Sequence, residues 1–555
     1  MRLGGFRRFA VLAAGLLLAA ATAPLAKADG HDDPCAYKPI ELDTYAGAEF
    51  LNPSVIRSEN GVLRTTLNLN YADNEIAGCP VRLRNYNGAL VGPTFRVKPG
   101  DTLVVTIEND LPPEPGPMPD DPNTPHNFNT TNLHTHGLHV SPAGNSDNVL
   151  LAVKPGQTWI TEIKIPADHP PGTFWYHAHV HGSTALQVSS GMAGALIIEG
   201  GLDDVPAIAA AADRAFVFQQ IAYDEAGVIE SYEPLDFGKW DAMHRHTTVN
   251  GQVVPTIRVR PGAVERWRFI HAGIQETIQP MLRDTGDAPG DRPLSAYTHD
   301  VIAKMPGAAP LHEVAVDGLA LGRIDSWTGD EAVYGITLQP GYRSDVLVKA
   351  PAYDQPRLML LTDSQAAKSE RLREGQSDNN EILALVVVAG AADDMPLPTE
   401  AAVAELAPHA PITDAELTGK PQKVEFNVAQ RVCPPGRECR TCEKGEPGCK
   451  DRFMINDRQF SLDNVRQLKL NTASEWTLSS LKFSHPFHIH VNPFQVTRVG
   501  PDGADQIVWR DVLFVHEKAD PVKIRSRYTR YIGKFVLHCH ILDHEDQGMM
   551  QVVEI

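Results

Sequence analysis

Between His538 and Met549 the chain sets a cysteine between two histidines, His538-Cys539-His540, and follows it with His544 and Met549. A thiolate, imidazoles and a weak axial thioether make up the ligand set of a blue copper centre. The flanking histidines restrict the fold further. On an extended strand successive side chains leave opposite faces, so Cys539 points one way while His538 and His540 point the other. One tripeptide can therefore bind metal on both sides of a single backbone. The competing reading is a buried strand with a free thiol and incidental histidines.

The same parity recurs upstream. In His485-Pro486-Phe487-His488-Ile489-His490 the last two histidines share a face and His485 falls on the other. His485 can thus join Cys539 and His544, while His488 and His490 join His538 and His540. Two more alternating pairs, His134-Thr135-His136 and His177-Ala178-His179, stand far away towards the N-terminus. Alternating imidazoles on a strand lie ~6–7 Å apart, which suits two neighbouring metals better than chelation of one. Because the pairs lie at opposite ends of the chain, a shared cluster requires the first and last parts of the chain to meet.

The motifs HTHG, FWYHAH, HPFHIH and HCHILDHEDQGMM, in this order, resemble the four copper-binding motifs of the multicopper oxidases, the family of laccases, ascorbate oxidases, bilirubin oxidases and bacterial copper oxidases. The resemblance extends over most of the mature chain. It implies an all-β chain of three consecutive cupredoxin-like Greek-key β-sandwiches holding four copper ions. Carried over by motif, His485, Cys539, His544 and axial Met549 bind a type 1 copper, and His134 and His488 a type 2 copper. His136, His177 and His540 hold one type 3 copper; His179, His490 and His538 hold the other. His181 has the right parity but no place in the motif, and Met550 is read as a core residue. Asp147, thirteen residues after His134, and Glu545, directly after His544, match the family's acids near the cluster and are candidate proton carriers.

The remainder of the chain bounds this reading. Arg2, Arg7 and Arg8, an apolar run from Phe9 to about Ala21, and Ala26-Lys27-Ala28 form a secretory leader over 1–28 whose apolar run is too short to span a membrane. Arg7-Arg8 leaves the twin-arginine and general routes both open, with the protein periplasmic or secreted. Loss of the leader removes four basic residues and takes the formal net charge from −19 to 46 − 69 = −23. So acidic a surface argues against nucleic acid or an anionic membrane as partner.

Short β-branched segments such as Arg96-Val97, Thr102 to Ile107, Ala195 to Ile198 and Val346 to Val348, bounded by Pro, Gly, Asn and Asp, read as strands of an all-β chain. A loose repeat supports three sandwiches. Val97-Lys98-Pro99-Gly100, Val259-Arg260-Pro261-Gly262 and Leu468-Lys469-Leu470-Asn471 each precede a strand-like run, one in each third. The division expected is 29–204, 205–390 without ligands, a linker over 391–419 rich in Ala, Pro and Asp, and 420–555. Pro206 to Arg214 is expected as a linker helix, and His244, His246 and His271 as polar rather than ligating. Cys35 and Cys79 can pair. Cys433, Cys439, Cys442 and Cys449 read as two disulfides pinning a loop, with a zinc knuckle as the alternative.

For function, the resemblance implies oxidation of a reducing substrate coupled to reduction of dioxygen to water. The first expectation for the donor is a phenol; the second is Fe(II), Mn(II) or Cu(I). Eleven methionines without a cluster beyond Met549-Met550 leave out the Met-rich segment of Cu(I)-oxidising relatives. A nitrite reductase would lack the type 3 pair, a copper-free relative would show gaps in the motifs, and an electron carrier would need only the type 1 set.

Overall fold

The three repeated turns form the same corner of three sandwiches. The computed structural model describes residues 40–555 except 115, 236–239, 241–245, 329–334, 365–380, 434–438 and 444–445, so the leader, Cys35 with its expected pairing, and His244 lie outside the described residues. In the first third the turn joins strand Thr94–Val97 to strand Thr102–Asn109, in the second Thr256–Val259 to Val264–His271, and in the last Val465–Gln467 to Thr472–Ser480. Each time the chain passes from one sheet to its facing sheet. The strand before the turn runs parallel to the last strand of its unit: Ala193–Ile198, Glu381–Val388 or Met550–Glu554. The strand after it runs parallel to an early one: Val62–Ile76, Ala212–Gln220 or Gln422–Val432. The fourth residue of each turn has positive φ, 95° at Gly100, 78° at Gly262 and 58° at Asn471. Glycine and asparagine are the residues that enter this left-handed region readily.

Burial follows from how many faces each strand has covered. Thr102–Asn109 alternates, with Leu103, Val105 and Ile107 in the core and the residues between them half-exposed. Val264–His271, in the middle of a six-stranded sheet, is buried at every residue. So are the strands bearing the histidine motifs, His134–His136, Gly172–His177 and His485–Ile489. Such strands lose the amphipathic alternation because both faces are covered.

One connection differs from expectation in detail. The helix expected over Pro206 to Arg214 is a single turn, Pro206–Ala209, because Ala212 already pairs with Glu265 in the sheet of the middle sandwich. The Ala- and Pro-rich stretch after 390, expected as a linker, packs on the middle sandwich. Met395, Leu397, Val403 and Leu406 pack against Val264 and Val314. Among the described residues no helix is long and apolar enough to cross a membrane.

Candidate metal centre

Two edge regions meet at the centre. In the first sandwich His134–His136 pairs antiparallel with Gly172–His177, placing His134 opposite His177. In the last, His485–Ile489 pairs with Lys534–Cys539, placing His488 opposite His538 and Phe487 opposite Cys539. The two sets interleave. The His134 ring stacks on His490 at 3.8 Å between centroids, and His136 on His488 at 3.9 Å. His179 lies 4.9 Å from both His490 and His538, and His136 lies 4.9 Å from His540. His177 and His540 are 5.8 Å apart. All eight imidazoles from the four alternating pairs therefore line one buried cage.

Three of the outward nitrogens are tied down by backbone carbonyls. His488 Nδ1 donates to the Asp511 carbonyl at 2.8 Å, His177 Nδ1 to the Ala178 carbonyl at 2.8 Å and His538 Nδ1 to the Cys539 carbonyl at 2.9 Å. A carbonyl can only accept, so these Nδ1 atoms carry the proton and the Nε2 lone pairs turn inward. The Nε2 atoms of His179 and His490 lie 3.2 and 3.3 Å from His538 Nε2. The Nε2 atoms of His134, His136, His177, His488 and His540 are buried without a hydrogen-bond partner. Burial, reinforced for most of them by the neighbouring imidazoles, holds the pKa values of these rings below the ordinary histidine value, so the rings are neutral. An unpaired buried polar atom costs ~1–3 kcal/mol. Neutral imidazoles aimed at one another are the donor set for borderline metal ions such as copper, and the residues fit that group.

Behind His538 and His540, on the other face of the strand, lies the second set. Cys539 Sγ is 3.4 Å from His485 Nδ1 and 3.8 Å from His544 Nδ1, and the two nitrogens are 3.3 Å apart. Burial pushes the Cys539 thiol well above its ordinary value, so it becomes a thiolate only against a cation. Met549 is fully buried, and its carbonyl accepts from the Cys539 amide at 3.0 Å. Met550, on the opposite side, packs with Val149 and Val536. His544 is 6 % exposed and is the least covered of His485, Cys539, His544 and Met549. The Phe453 ring stacks on it at 4.6 Å.

Both candidate acids adjoin the cage. The Asp147 carboxylate lies 3.1 Å from His134 Nδ1 through either oxygen and accepts the Thr135 amide at 2.9 Å. Burial pushes its pKa up to about 7 against the lowering effect of Thr135. Glu545 is fully buried, with Oε1 3.4 Å from His179 Nδ1 and Oε2 3.2 Å from His538 Nδ1. Burial first, and then the charge of Asp546, raise it well above the carboxylate range. His181 lies apart from the cage rings, against Asn123 at 3.2 Å and the Phe460 ring at 4.4 Å. His246 pairs with Glu381 at 2.9 Å, and His271 Nδ1 accepts the Gly273 amide at 3.2 Å.

Sequence reasoning missed Asp511, Arg343 and Phe453. Asp511 Oδ1 lies 3.5 Å from His136 Nδ1 and 3.7 Å from His488 Nδ1, and Arg343 donates to both of its oxygens. The available signal was a charged residue at the mouth of a buried strand, Arg343 opening Arg343–Lys349 and Asp511 preceding Val512–Val515. The four cysteines after 432 close as Cys433–Cys439 and Cys442–Cys449, which leaves no thiolate for zinc.

Two family models described as multicopper oxidase match residues 123–202 and 438–555. A multicopper oxidase of Staphylococcus haemolyticus is 24% identical over 490 residues, covering 85% of this chain and 83% of that protein. A laccase of Bacillus subtilis is 23% identical over 529 residues, covering 86% and 90%. Among solved structures, a Campylobacter jejuni multicopper oxidase described as a metallo-oxidase superposes with TM-score 0.68 at 20% identity, covering 94% of this chain and 98% of that one. A laccase-like oxidase of Ochrobactrum sp., described as acting on lignin model compounds, superposes with TM-score 0.64 at 22% identity, covering 91% and 99%.

Proposed function

The chain belongs to the multicopper oxidase family, and on that premise we propose that it oxidises a phenolic donor one electron at a time and reduces dioxygen to water. When bound, one type 1, one type 2 and two type 3 coppers supply the single-electron and four-electron chemistry that side chains lack. His485, Cys539, His544 and Met549 would hold the first; His134 and His488 the second; His136, His177 and His540, and His179, His490 and His538, the pair. The observation that carries the reading is the set of inward Nε2 atoms without a protein partner, contributed by both ends of the chain, with His540 among them bonded through the backbone to Cys539.

The chain's own contributions follow from this arrangement. Cys539 links its sulfur through bonds to His538 and His540, so the donor side and the cage need no through-space gap. His544, the least covered member of its set, is the edge at which a donor approaches. Phe453 supplies an aromatic wall there, and it lies on the strand Lys450–Ile455 that leads straight out of the Cys442–Cys449 disulfide. That wall favours an aromatic donor over a hydrated metal ion. Asp147 and Glu545 hold protons at oxygens within 3.1 and 3.4 Å of His134 and His179 respectively, and serve as proton carriers to the cage. Export to the periplasm or beyond is supported by the leader motif and by two disulfides, which persist in oxidising compartments.

The reading is tested by metal analysis and oxygen uptake on one sample, with a phenol, Fe(II) and Cu(I) as alternative donors. About four coppers per chain and fastest uptake with the phenol are expected. Faster uptake with Fe(II) or Cu(I) would transfer the assignment to a metal-ion oxidase. A single copper with no uptake would leave an electron carrier.

A further inference from the structure

The middle sandwich contributes no ligand, yet it touches the cage. Its Pro340-Gly341 turn leads into strand Arg343–Lys349, which pairs antiparallel with Val264–His271. The first sandwich has the same turn, Pro155-Gly156, leading into Thr158–Lys164, which pairs antiparallel with the corresponding strand Thr102–Asn109. Both glycines have positive φ, 77° at Gly156 and 91° at Gly341. A Cβ at Gly156 would meet nothing within 4 Å. A Cβ at Gly341 would lie 3.0 Å from His540 Cδ2, 3.1 Å from His540 Nε2 and 3.2 Å from His136 Nε2. The left-handed turn explains a glycine at both positions. At Gly341, unlike Gly156, the neighbouring space is also tight, so that an added Cβ would press on the two rings.

Two residues further on, Arg343 is fully buried and all its reach is spent around the cage. Nη1 donates to Asp511 Oδ1 at 2.8 Å and to the Gly341 carbonyl at 2.9 Å, and it lies 3.3 Å from His136 Nδ1. Nη2 donates to Asp511 Oδ2 at 2.5 Å and to the Asp317 carbonyl at 2.7 Å. Nε reaches the Thr173 carbonyl of the first sandwich at 3.4 Å. Asp511, so clamped, holds His488 Nδ1 through its own carbonyl and presents Oδ1 to His136 Nδ1. One guanidinium therefore ties together residues of all three sandwiches. A planar five-donor group suits this, because its hydrogen bonds fix directions as well as distances.

We propose that the Gly341 turn and Arg343 of the middle sandwich are a positioning element of the metal cage, forming its wall beside His136 and His540 and setting the angle of His136 and His488 through Asp511. This rests on the ligand reading above and adds to it: the sandwich without ligands decides the geometry of the cluster between the other two. Partners that orient metal-bound histidines typically change affinity or activity 10–100-fold when removed.

The test uses the full-length, copper-loaded protein and three variants, Arg343→Met, Arg343→Lys and Gly341→Ala. In Arg343→Met the blue absorption of the Cys539 site should persist, while the type 2 electron paramagnetic resonance signal should change its hyperfine splitting or copper should drop below the wild-type content. Arg343→Lys should restore the signal in part, since it returns the charge without the fork. Gly341→Ala should alter the same signal although Arg343 is intact, which keeps the test open if Arg343→Met does not fold. A wild-type signal and copper content in Arg343→Met or in Gly341→Ala, with only thermal stability lowered, would overturn the proposal. If the wild type itself binds no copper in the cage, the ligand reading fails first, and the two failures are told apart.

Discussion

Replacing Asp147 by Asn keeps the side-chain volume and removes one buried negative charge from the outer side of the cage. The carboxylate has two partners, His134 Nδ1 at 3.1 Å and the Thr135 amide at 2.9 Å. The Asn oxygen can still accept the Thr135 N–H, so the loss is the charge-assisted bond to His134. Such a bond contributes about 1.5–3 kcal/mol. At ~1.36 kcal/mol per tenfold in rate, oxygen uptake with a saturating phenol should fall about 10- to 150-fold. The Cys539 set belongs to the last sandwich, so the blue absorption should be unchanged. An oxygen electrode, an optical spectrum and copper analysis on the same sample make the assay. Unchanged uptake at full copper content would refute Asp147 as a proton carrier. Loss of the blue colour would refute the separation of the two sets.

Further outcomes are expected elsewhere. Reduction of Cys433–Cys439 and Cys442–Cys449, whose partners are 6 and 7 residues apart, should cost about 2 kcal/mol each and raise the KM for a phenol more than it lowers kcat, as should Phe453→Ala. Equal phenol kinetics before and after reduction would remove the hairpin from the approach to His544. Stripping copper should lower the thermal midpoint, and titrating it back at 100 times the dissociation constant should return ~2.7 kcal/mol for each site filled; a midpoint indifferent to copper would contradict the cage. Burial alone would lower the His246 pKa, but the Glu381 carboxylate 2.9 Å away raises it overall. A raised folded value contributes stability that is complete below the unfolded value of ~6.5 and fades as pH rises through the folded one. His246→Gln should therefore lower the thermal midpoint more at about pH 5.5 than at about pH 9, and an equal drop at both would show that the pair does not titrate as described.

Period two on a strand is a local property, and it reaches far in this chain. It places His538 and His540 on one face and Cys539 on the other, and it separates His485 from His488 and His490 before any tertiary contact is known. The repeated turns were equally legible, because a positive φ at Gly100, Gly262 and Asn471 selects for residue types visible in the chain. By contrast, the helix expected over Pro206 to Arg214 closed early because a parallel strand partner claimed Ala212, and no local pattern reports that competition.

By itself the sequence determined the residue types of the proposed ligands, their faces and the covalent link from Cys539 to two imidazoles, since all three depend on neighbours along the backbone. Only the tertiary structure decided what stands behind the ligands. Arg343 meets Asp511 across 168 positions and His136 across 207, and Phe453 covers His544 only because one β-hairpin folds over another segment. A charge at the mouth of a buried strand has no period to read. Its meaning depends on burial, where an unpaired guanidinium or carboxylate is costly and the fold must bring its partner from another sandwich.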